Sequence, residues 1–301
     1  MKLFILTGPT GIGKTELSLQ LARSWHGEII SADSMQVYKN FDIGTAKIMD
    51  RGHIPHHMID ITTANEEFSV YDFQTQTKSL ITQINDNNRL PMLVGGTGLY
   101  IDSIVYHLSF QAIGKDVQLR KTLEKDFKAY GVTYLFEKLK TLDPNAAHYI
   151  DPKNPQRLMR AIEIASSAVR ETENLRRENN EYELLYIGLT MPRQKLYERI
   201  NHRVINMVEQ GLIDEVQRLV AVYGEDCKPF RAIGYKEVIA YLKGMISYDE
   251  MIDTIQKNSR HYAKRQLTYF RRDQRIHWID REDPKLLDKI LELGKELWDN
   301  V

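Results

Sequence analysis

Lys14, Thr15, Asp33 and Thr97 are the residues of this chain whose types and spacing could do chemistry. Lys14 and Thr15 close the run Gly8-Pro9-Thr10-Gly11-Ile12-Gly13-Lys14-Thr15, which fits the phosphate-binding loop pattern of nucleotide-binding proteins, G-x-x-x-x-G-K-[ST]. In such a loop the glycines let backbone N–H groups converge on anionic oxygens. The lysine neutralises terminal phosphates, and the threonine hydroxyl can ligate Mg²⁺. The pattern marks a protein that holds a di- or triphosphate and leaves open whether the phosphate is transferred, hydrolysed or expelled. Asp33 follows the apolar run Ile29-Ile30-Ser31-Ala32. A carboxylate there can support Mg²⁺ through water, accept a proton from a weak nucleophile, or cap a turn together with Ser34. Thr97 lies in Gly95-Gly96-Thr97-Gly98, after Met92-Leu93-Val94. The glycines permit close backbone approach to a ligand, and the hydroxyl either bonds that ligand or N-caps a helix.

These residues need strand ends to hold them. Apolar runs at Lys2–Thr7, Glu28–Ala32, His57–Ile61, Leu90–Val94, Leu184–Leu189 and Arg275–Ile279 read as strands with helical patterns between them. That alternation predicts an α/β fold with an open parallel sheet, whose ligands sit beyond the carboxyl ends of the strands. Residues 112–182 break the alternation. Val117–Tyr130, Thr133–Thr141 and Pro155–Ala168 are rich in helix formers and Pro144, Pro152 and Pro155 punctuate them. The expected organisation is a core of residues 1–111 and 183–301 interrupted by a helical insertion domain, 112–182. The polar stretch Glu171–Glu183 reads as a mobile connection, and 192–223 and 248–273 as further helices.

The 301 residues carry no net charge, but the charge is unevenly placed. Residues 257–275 hold seven cations (Lys257, Arg260, Lys264, Arg265, Arg271, Arg272, Arg275) against the single acid Asp273. On one continuous helix Lys257, Arg260, Lys264, Arg271 and Arg275 share a face, a spacing that suits a nucleic-acid backbone. Gln156-Arg157-Leu158-Met159-Arg160 and Arg231-Ala232-Ile233-Gly234-Tyr235-Lys236 are lesser basic clusters, fit for phosphate contacts or for structural ion pairs. His53, His56 and His57 match no zinc spacing and read as structural. The single cysteine, Cys227, forbids an internal disulfide. No apolar run is long enough to span a bilayer, and the phosphate loop begins too early for a cleaved signal peptide. A cytoplasmic protein is expected, with no membrane contact. A monomer is the expectation too, on no positive sequence signal.

Taken in order, the motifs resemble the tRNA dimethylallyltransferase family. The likeness starts with the phosphate loop and Ile30-Ser31-Ala32-Asp33-Ser34-Met35-Gln36-Val37-Tyr38. It continues through Asp42-Ile43-Gly44-Thr45-Ala46-Lys47, Pro55-His56-His57-Met58-Ile59-Asp60, Leu93-Val94-Gly95-Gly96-Thr97-Gly98-Leu99-Tyr100 and Asn154-Pro155-Gln156-Arg157-Leu158-Met159-Arg160-Ala161. It closes with Ala232-Ile233-Gly234-Tyr235 and Lys264-Arg265-Gln266-Leu267-Thr268-Tyr269-Phe270-Arg271. Two departures stand out: Gly11-Ile12 replaces a common Ala-Ser, and Ile48 stands where proline often follows Lys47. Neither is expected to remove phosphate binding.

The resemblance implies a nucleoside-kinase-like core with a helical insertion. It implies transfer of a dimethylallyl group from dimethylallyl diphosphate to the exocyclic N6 of adenosine 37, in the anticodon stem-loop of tRNAs reading codons that begin with U. On the matched positions, Asp33 is the general base and Thr97 lies near the reacting centre. Lys14, Gly8–Thr15 and Mg²⁺ on Thr15 stabilise the departing diphosphate. Asp33, Ser34, Met35, Gln36, Thr97, Arg120, Gln156–Arg160 and Arg231–Lys236 would contact tRNA, and Lys257, Arg260, Lys264 and Arg271 would hold its phosphates. An adenylate dimethylallyltransferase acting on free nucleotide, or a small-molecule kinase on the same core, would share the loop and Asp33. Neither explains the basic stripe.

Overall fold

The computed structural model describes residues 1–108, 117–167 and 177–298. The chain divides into two compact units, Met1–Tyr106 with Glu178–Val301, and His107–Arg177.

The first unit is built on one six-stranded sheet of β1 (Lys2–Thr7), β2 (Gly27–Ala32), β3 (His56–His57), β4 (Leu90–Gly95), β5 (Glu183–Thr190) and β6 (His277–Asp280). Their order is β3-β2-β4-β1-β5-β6 and every neighbouring pair is parallel. Leu3, Phe4, Ile5 and Leu6 are fully buried, as a strand covered on both faces requires. Each such side chain contributes roughly 1.5–3 kcal/mol of burial. The helices of this unit are α1 (Lys14–Trp25), α2 (Val70–Asp86) and α3 (Gly98–Val105) before the insertion. After the insertion's own α4 to α6 come α7 (Arg193–Glu209), α8 (Leu212–Tyr223), α9 (Tyr235–Leu242), α10 (Tyr248–Phe270) and α11 (Leu286–Trp298).

Three expectations are corrected or refined. The predicted strand His57–Ile61 is only His56–His57 long, because Met58 (φ 62°) and Asp60 (φ 58°) turn left-handed and end the ladder. The helical segment 192–223 is refined to two helices, separated at Gly211 (φ 98°). Helix 248–273 stops at Phe270, so Arg275 is not on it.

The second unit holds α4 (Val117–Leu142), interrupted at Gly131, α5 (Pro144–Tyr149) and α6 (Pro155–Ser166). Its own core is Leu123, Leu135, Leu139, Leu158, Met159 and Ile162. Residues 178–182, assigned to the insertion by the sequence reading, belong to the first unit. Asn179 is buried, its N–H bonds the Val105 carbonyl at 3.0 Å, and its Nδ2 bonds the Ile104 carbonyl at 3.2 Å. The expected boundary at 111/112, Ala168, and residues 171–176 of the polar connection lie outside the described residues.

Candidate functional site

Three loops meet at the carboxyl ends of β1, β2 and β4, because register pairs Leu6 with Val94 and Ala32 with Gly95. The loop after β1 is Gly8–Gly13. Gly13 N-caps α1 at φ 96° and Gly8 stands at φ 145°, conformations that L side chains rarely adopt. Lys14 Nζ donates to the carbonyls of Gly8 (2.9 Å) and Pro9 (3.0 Å), folding the ammonium into the loop. Burial, then the charge of Arg203, pull the Lys14 pKa down to about 8, against the opposing pull of Asp33. Thr10 offers its N–H to Gln266 Oε1 (2.9 Å) and its hydroxyl oxygen to Arg203 Nη1 (3.0 Å). Arg199 Nε donates to the Gly11 carbonyl at 3.1 Å. Ile12 corrects an expectation: its side chain is fully buried in the apolar core and its N–H is engaged with the Pro9 carbonyl, so it supports the loop from beneath.

Asp33 follows β2, half-buried. Its Oδ1 accepts the Met35 N–H at 2.9 Å, the turn bond anticipated for an aspartate there. Oδ2 accepts no protein hydrogen bond among the described residues, so turn formation and proton transfer are compatible roles. Thr97 starts α3 but its hydroxyl makes no cap; it accepts the Ser34 N–H at 3.0 Å. Thr97 is not among the residues that line the two cavities described below, and its hydroxyl holds the turn that follows Asp33. The glycines around it are also explained by protein contacts. A Cβ at Gly95 would lie 2.2 Å from the Ala32 carbonyl oxygen, at Gly96 2.2 Å from Gln266 Nε2, and at Gly98 2.2 Å from the Tyr269 ring. The lack of a Cβ there serves close packing on β2 and α10, while Gly95 and Gly96 also line the first cavity described below, in keeping with the backbone approach that the sequence suggests.

Two cavities open here. One, of about 560 Å³, is lined by Thr10, Lys14, Thr15, Asp33, Gln36 and Arg203, with an apolar part formed by Ile48, Ile59, Val94 and Met207. The other, of about 380 Å³, is lined by Ser34, Met35, Arg231, Ala232, Ile233 and Lys236, and by Arg265 of α10. Thr10, Asp33, Thr45, Arg203, Met207 and Tyr262 are walls of both. Asp33 therefore stands where the phosphate-loop cavity meets a second, cation-rimmed one. Tyr262 stands beside it; burial and the Asp33 charge push its phenol up to about 12, opposed by contacts with Thr97, Arg265 and Gln266.

Not every basic-cluster residue reaches solvent. Tyr235 is fully buried and its hydroxyl donates to Glu215 at 2.7 Å, while Gly234 is buried at the start of α9. Gln36 lines the first cavity with its amide already engaged by Ser31 (3.0 Å) and the Thr45 carbonyl (3.3 Å). On α10, Lys257 and Lys264 are exposed, as is Arg271 just past its end. Arg260 is half-buried, bonded to Asn201 Oδ1 at 2.5 Å and set over the Tyr197 ring, so it braces α10 on α7. Arg275 is paired with Asp273 at 2.6 Å and stacked 4.6 Å from the Tyr106 ring centroid. The continuous five-cation face is thus reduced to three exposed cations, Lys257, Lys264 and Arg271.

Within the insertion, Gln156 and Arg157 are exposed in the first turn of α6, which Asn154 caps through the Arg157 N–H (3.1 Å). Leu158 and Met159 are core residues and are removed as RNA contacts. Arg120 and Arg160 both grip the buried Glu163, at 2.5 and 3.1 Å, which commits Arg120 chiefly to that ion pair.

Arg199, Arg203, Tyr262, Arg265 and Gln266 were not assigned site roles from sequence. The signal for the first two was an i, i+4 arginine pair on the helix after a core strand. A divalent ion fits the loop on one observation: Thr15 is exposed at the start of α1, and its hydroxyl makes no protein hydrogen bond among the described residues. A diphosphate-bound Mg²⁺ takes most of its oxygens from phosphate and water. No cluster of three His, Cys, Asp or Glu suited to a metal exists among the described residues.

Known proteins place this geometry. A tRNA dimethylallyltransferase of Halalkalibacterium halodurans is 47% identical over 298 residues, covering 97% of this chain and 95% of that protein. One of Bacillus subtilis is 44% identical, covering 93% and 91%. The solved full-length tRNA isopentenylpyrophosphate transferase of Bacillus halodurans superposes with a TM-score of 0.73 at 46% identity, over 98% of this chain and 95% of that one. A eukaryotic dimethylallyltransferase solved acting on tRNA gives 0.81 at 26% identity, over 99% of this chain and 78% of that one. An isopentenyl transferase family model matches residues 1–53. The IPP transferase family model matches residues 36–273, a span that carries Gln36, the Gly95–Gly98 turn, the insertion and α10. With the phosphate loop opening into that span, this chain belongs to the IPP transferase family.

Proposed function

We propose that this protein transfers the dimethylallyl group of dimethylallyl diphosphate to N6 of adenosine 37 in tRNAs reading codons that begin with U. The observation that carries the reading is Asp33 on the wall shared by the two cavities. The diphosphate occupies the loop side, held by the Gly8–Thr15 amides, Lys14 and Arg203. The five-carbon group lies toward Ile48, Ile59, Val94 and Met207. The adenine, flipped from its stack, enters through the second cavity past Arg231, Lys236 and Arg265. The N6–C1 bond forms as the C1–O bond breaks, the electron pair leaving with the diphosphate and the N6 proton passing to Asp33. The loop amides and cations stabilise the charge that builds on the leaving oxygen. Mg²⁺ held at Thr15 would add positive charge beside that oxygen. Gln156, Arg157, Lys257, Lys264 and Arg271 contact the anticodon stem-loop backbone. The reading also takes the protein to be a cytoplasmic monomer. Among the described residues no helix is long and apolar enough to cross a membrane, and the elution volume on sizing chromatography tests the oligomeric state.

The deciding experiment mixes the protein with radiolabelled dimethylallyl diphosphate, Mg²⁺ and unmodified tRNA. Label in tRNA is expected, and its absence sinks the proposal. Label in free AMP, ADP or ATP would favour the adenylate enzyme. ADP formed from ATP without tRNA would favour a kinase, the reading to which the arginines Arg199 and Arg203 beside the phosphate loop are also suited.

A further inference from the structure

Gln266 is buried on α10, with 6% of its surface exposed, and uses both ends of its amide. Oε1 accepts the N–H of Thr10 in the phosphate loop, and Nε2 donates to the carbonyl of Gly96, each at 2.9 Å. One side chain thus ties the loop that holds the leaving group to the turn whose Thr97 anchors Ser34, next to Asp33. The contact is fitted closely, since a Cβ at Gly96 would fall 2.2 Å from Nε2. Neighbours on the same helix reinforce it. Tyr262, one turn earlier, lies against Thr97 and Gln266. Tyr269, three residues later, fills the space at Gly98 and donates to Asp102 Oδ2 at 2.6 Å.

We propose that Gln266 is a positioning residue for prenyl transfer, holding the phosphate loop and the Gly95–Gly98 turn at the spacing that brings the allylic carbon to the amine beside Asp33. The bridge needs one acceptor and one donor at fixed separation, which a primary amide supplies and a carboxylate of the same size does not. Gln266→Glu keeps the volume and the acceptor for Thr10 but sets two oxygens face to face at Gly96. A misplacement of about 1 Å between reacting groups lowers a rate by roughly 100-fold without weakening the binding of either partner.

The inference rests on the prenyl-transfer reading, and the wild-type protein separates the two: no label in tRNA from the wild type sinks both. With an active wild type, Gln266→Glu should slow single-turnover transfer by about 30- to 100-fold. The KM for dimethylallyl diphosphate and the Kd for tRNA should stay within about three-fold, and the melting temperature within a few degrees. A second pair of variants guards against a folding defect. Gly96→Ala pushes the Gln266 amide aside and should slow transfer about 10-fold or more in the wild type, but less than about two-fold once Gln266 is already alanine. A Gln266→Glu rate within about two-fold of wild type would overturn the proposal. So would a Gly96→Ala loss that is the same in both backgrounds, or a loss carried wholly by KM.

Discussion

The Thr97 hydroxyl accepts the backbone N–H of Ser34 at 3.0 Å, one residue after the carboxylate Asp33. This bond fixes the path of the chain as it leaves β2, and with it the direction of Asp33. Thr97→Val removes the acceptor and leaves a half-buried N–H unpaired, at a penalty of about 1–3 kcal/mol. The expected result is a fall in kcat of about 10-fold with little change in KM for dimethylallyl diphosphate. Thr97→Ser keeps the oxygen and should retain most of the activity. Equal losses in both variants would show that the methyl group matters and the bond does not.

Asp33→Asn keeps the Oδ1 that accepts the Met35 N–H and removes the base. The turn should persist. Loss of general-base catalysis lowers rates by about 10²–10⁴-fold, so transfer should fall by at least about 100-fold while calorimetry shows dimethylallyl diphosphate binding intact. A near-normal rate would remove Asp33 from its role.

The strand–loop–helix of residues 2–25 was legible in the sequence because its local chemistry is decisive: an apolar run, then glycines at left-handed positions, then helix formers. Asp33 and Thr97 were legible as strand-end polar residues. Whether Thr97 faced ligand or backbone was not, since that depends on a contact 63 residues away. The same limit hid Gln266, whose partners Thr10 and Gly96 lie 256 and 170 residues away in the chain. It also hid the difference between solvated and structural cations. Helix periodicity placed Arg260 on the face with Lys264, but only packing against Asn201 shows that Arg260 is a brace. Leu158 and Met159 were carried along by the motif around them. Their apolar character was the available sign that they pack inside the insertion.

Lys14 gives the site a pH dependence of known sign. Its folded pKa of about 8 lies below the ordinary 10.5, so the unfolded chain binds more protons between those values. Stability therefore rises with pH across that window; the penalty of a charged, buried Lys14 is present below about pH 8 and lifts above it. Ligand binding runs the other way. A diphosphate whose last ionisation lies near pH 6 favours the charged ammonium, so its affinity should fall as pH rises through about 8. Calorimetry in buffers of different ionisation enthalpy should show proton uptake on binding there. Lys14→Met should bind weakly throughout, with no such fall. A wild-type affinity that is flat from pH 7 to 9.5 would contradict the assignment.

Among the α10 cations, Lys264 and Arg260 should behave differently despite their shared helical face. Lys264 is exposed, and if it neutralises a tRNA phosphate, its reversal to glutamate removes one released counterion. The slope of log affinity against log salt should then shrink by about one. Adding Lys257→Glu should shrink it by about one more, near-additively, because the two lysines lie two turns apart. Arg260→Gln removes a guanidinium held by Asn201 and stacked on Tyr197. Its effect should be on thermal stability, with a slope close to that of the wild type. Filter binding of unmodified tRNA across a salt series measures all three. A slope that stays constant in the Lys257→Glu/Lys264→Glu variant would place the tRNA backbone elsewhere on the protein.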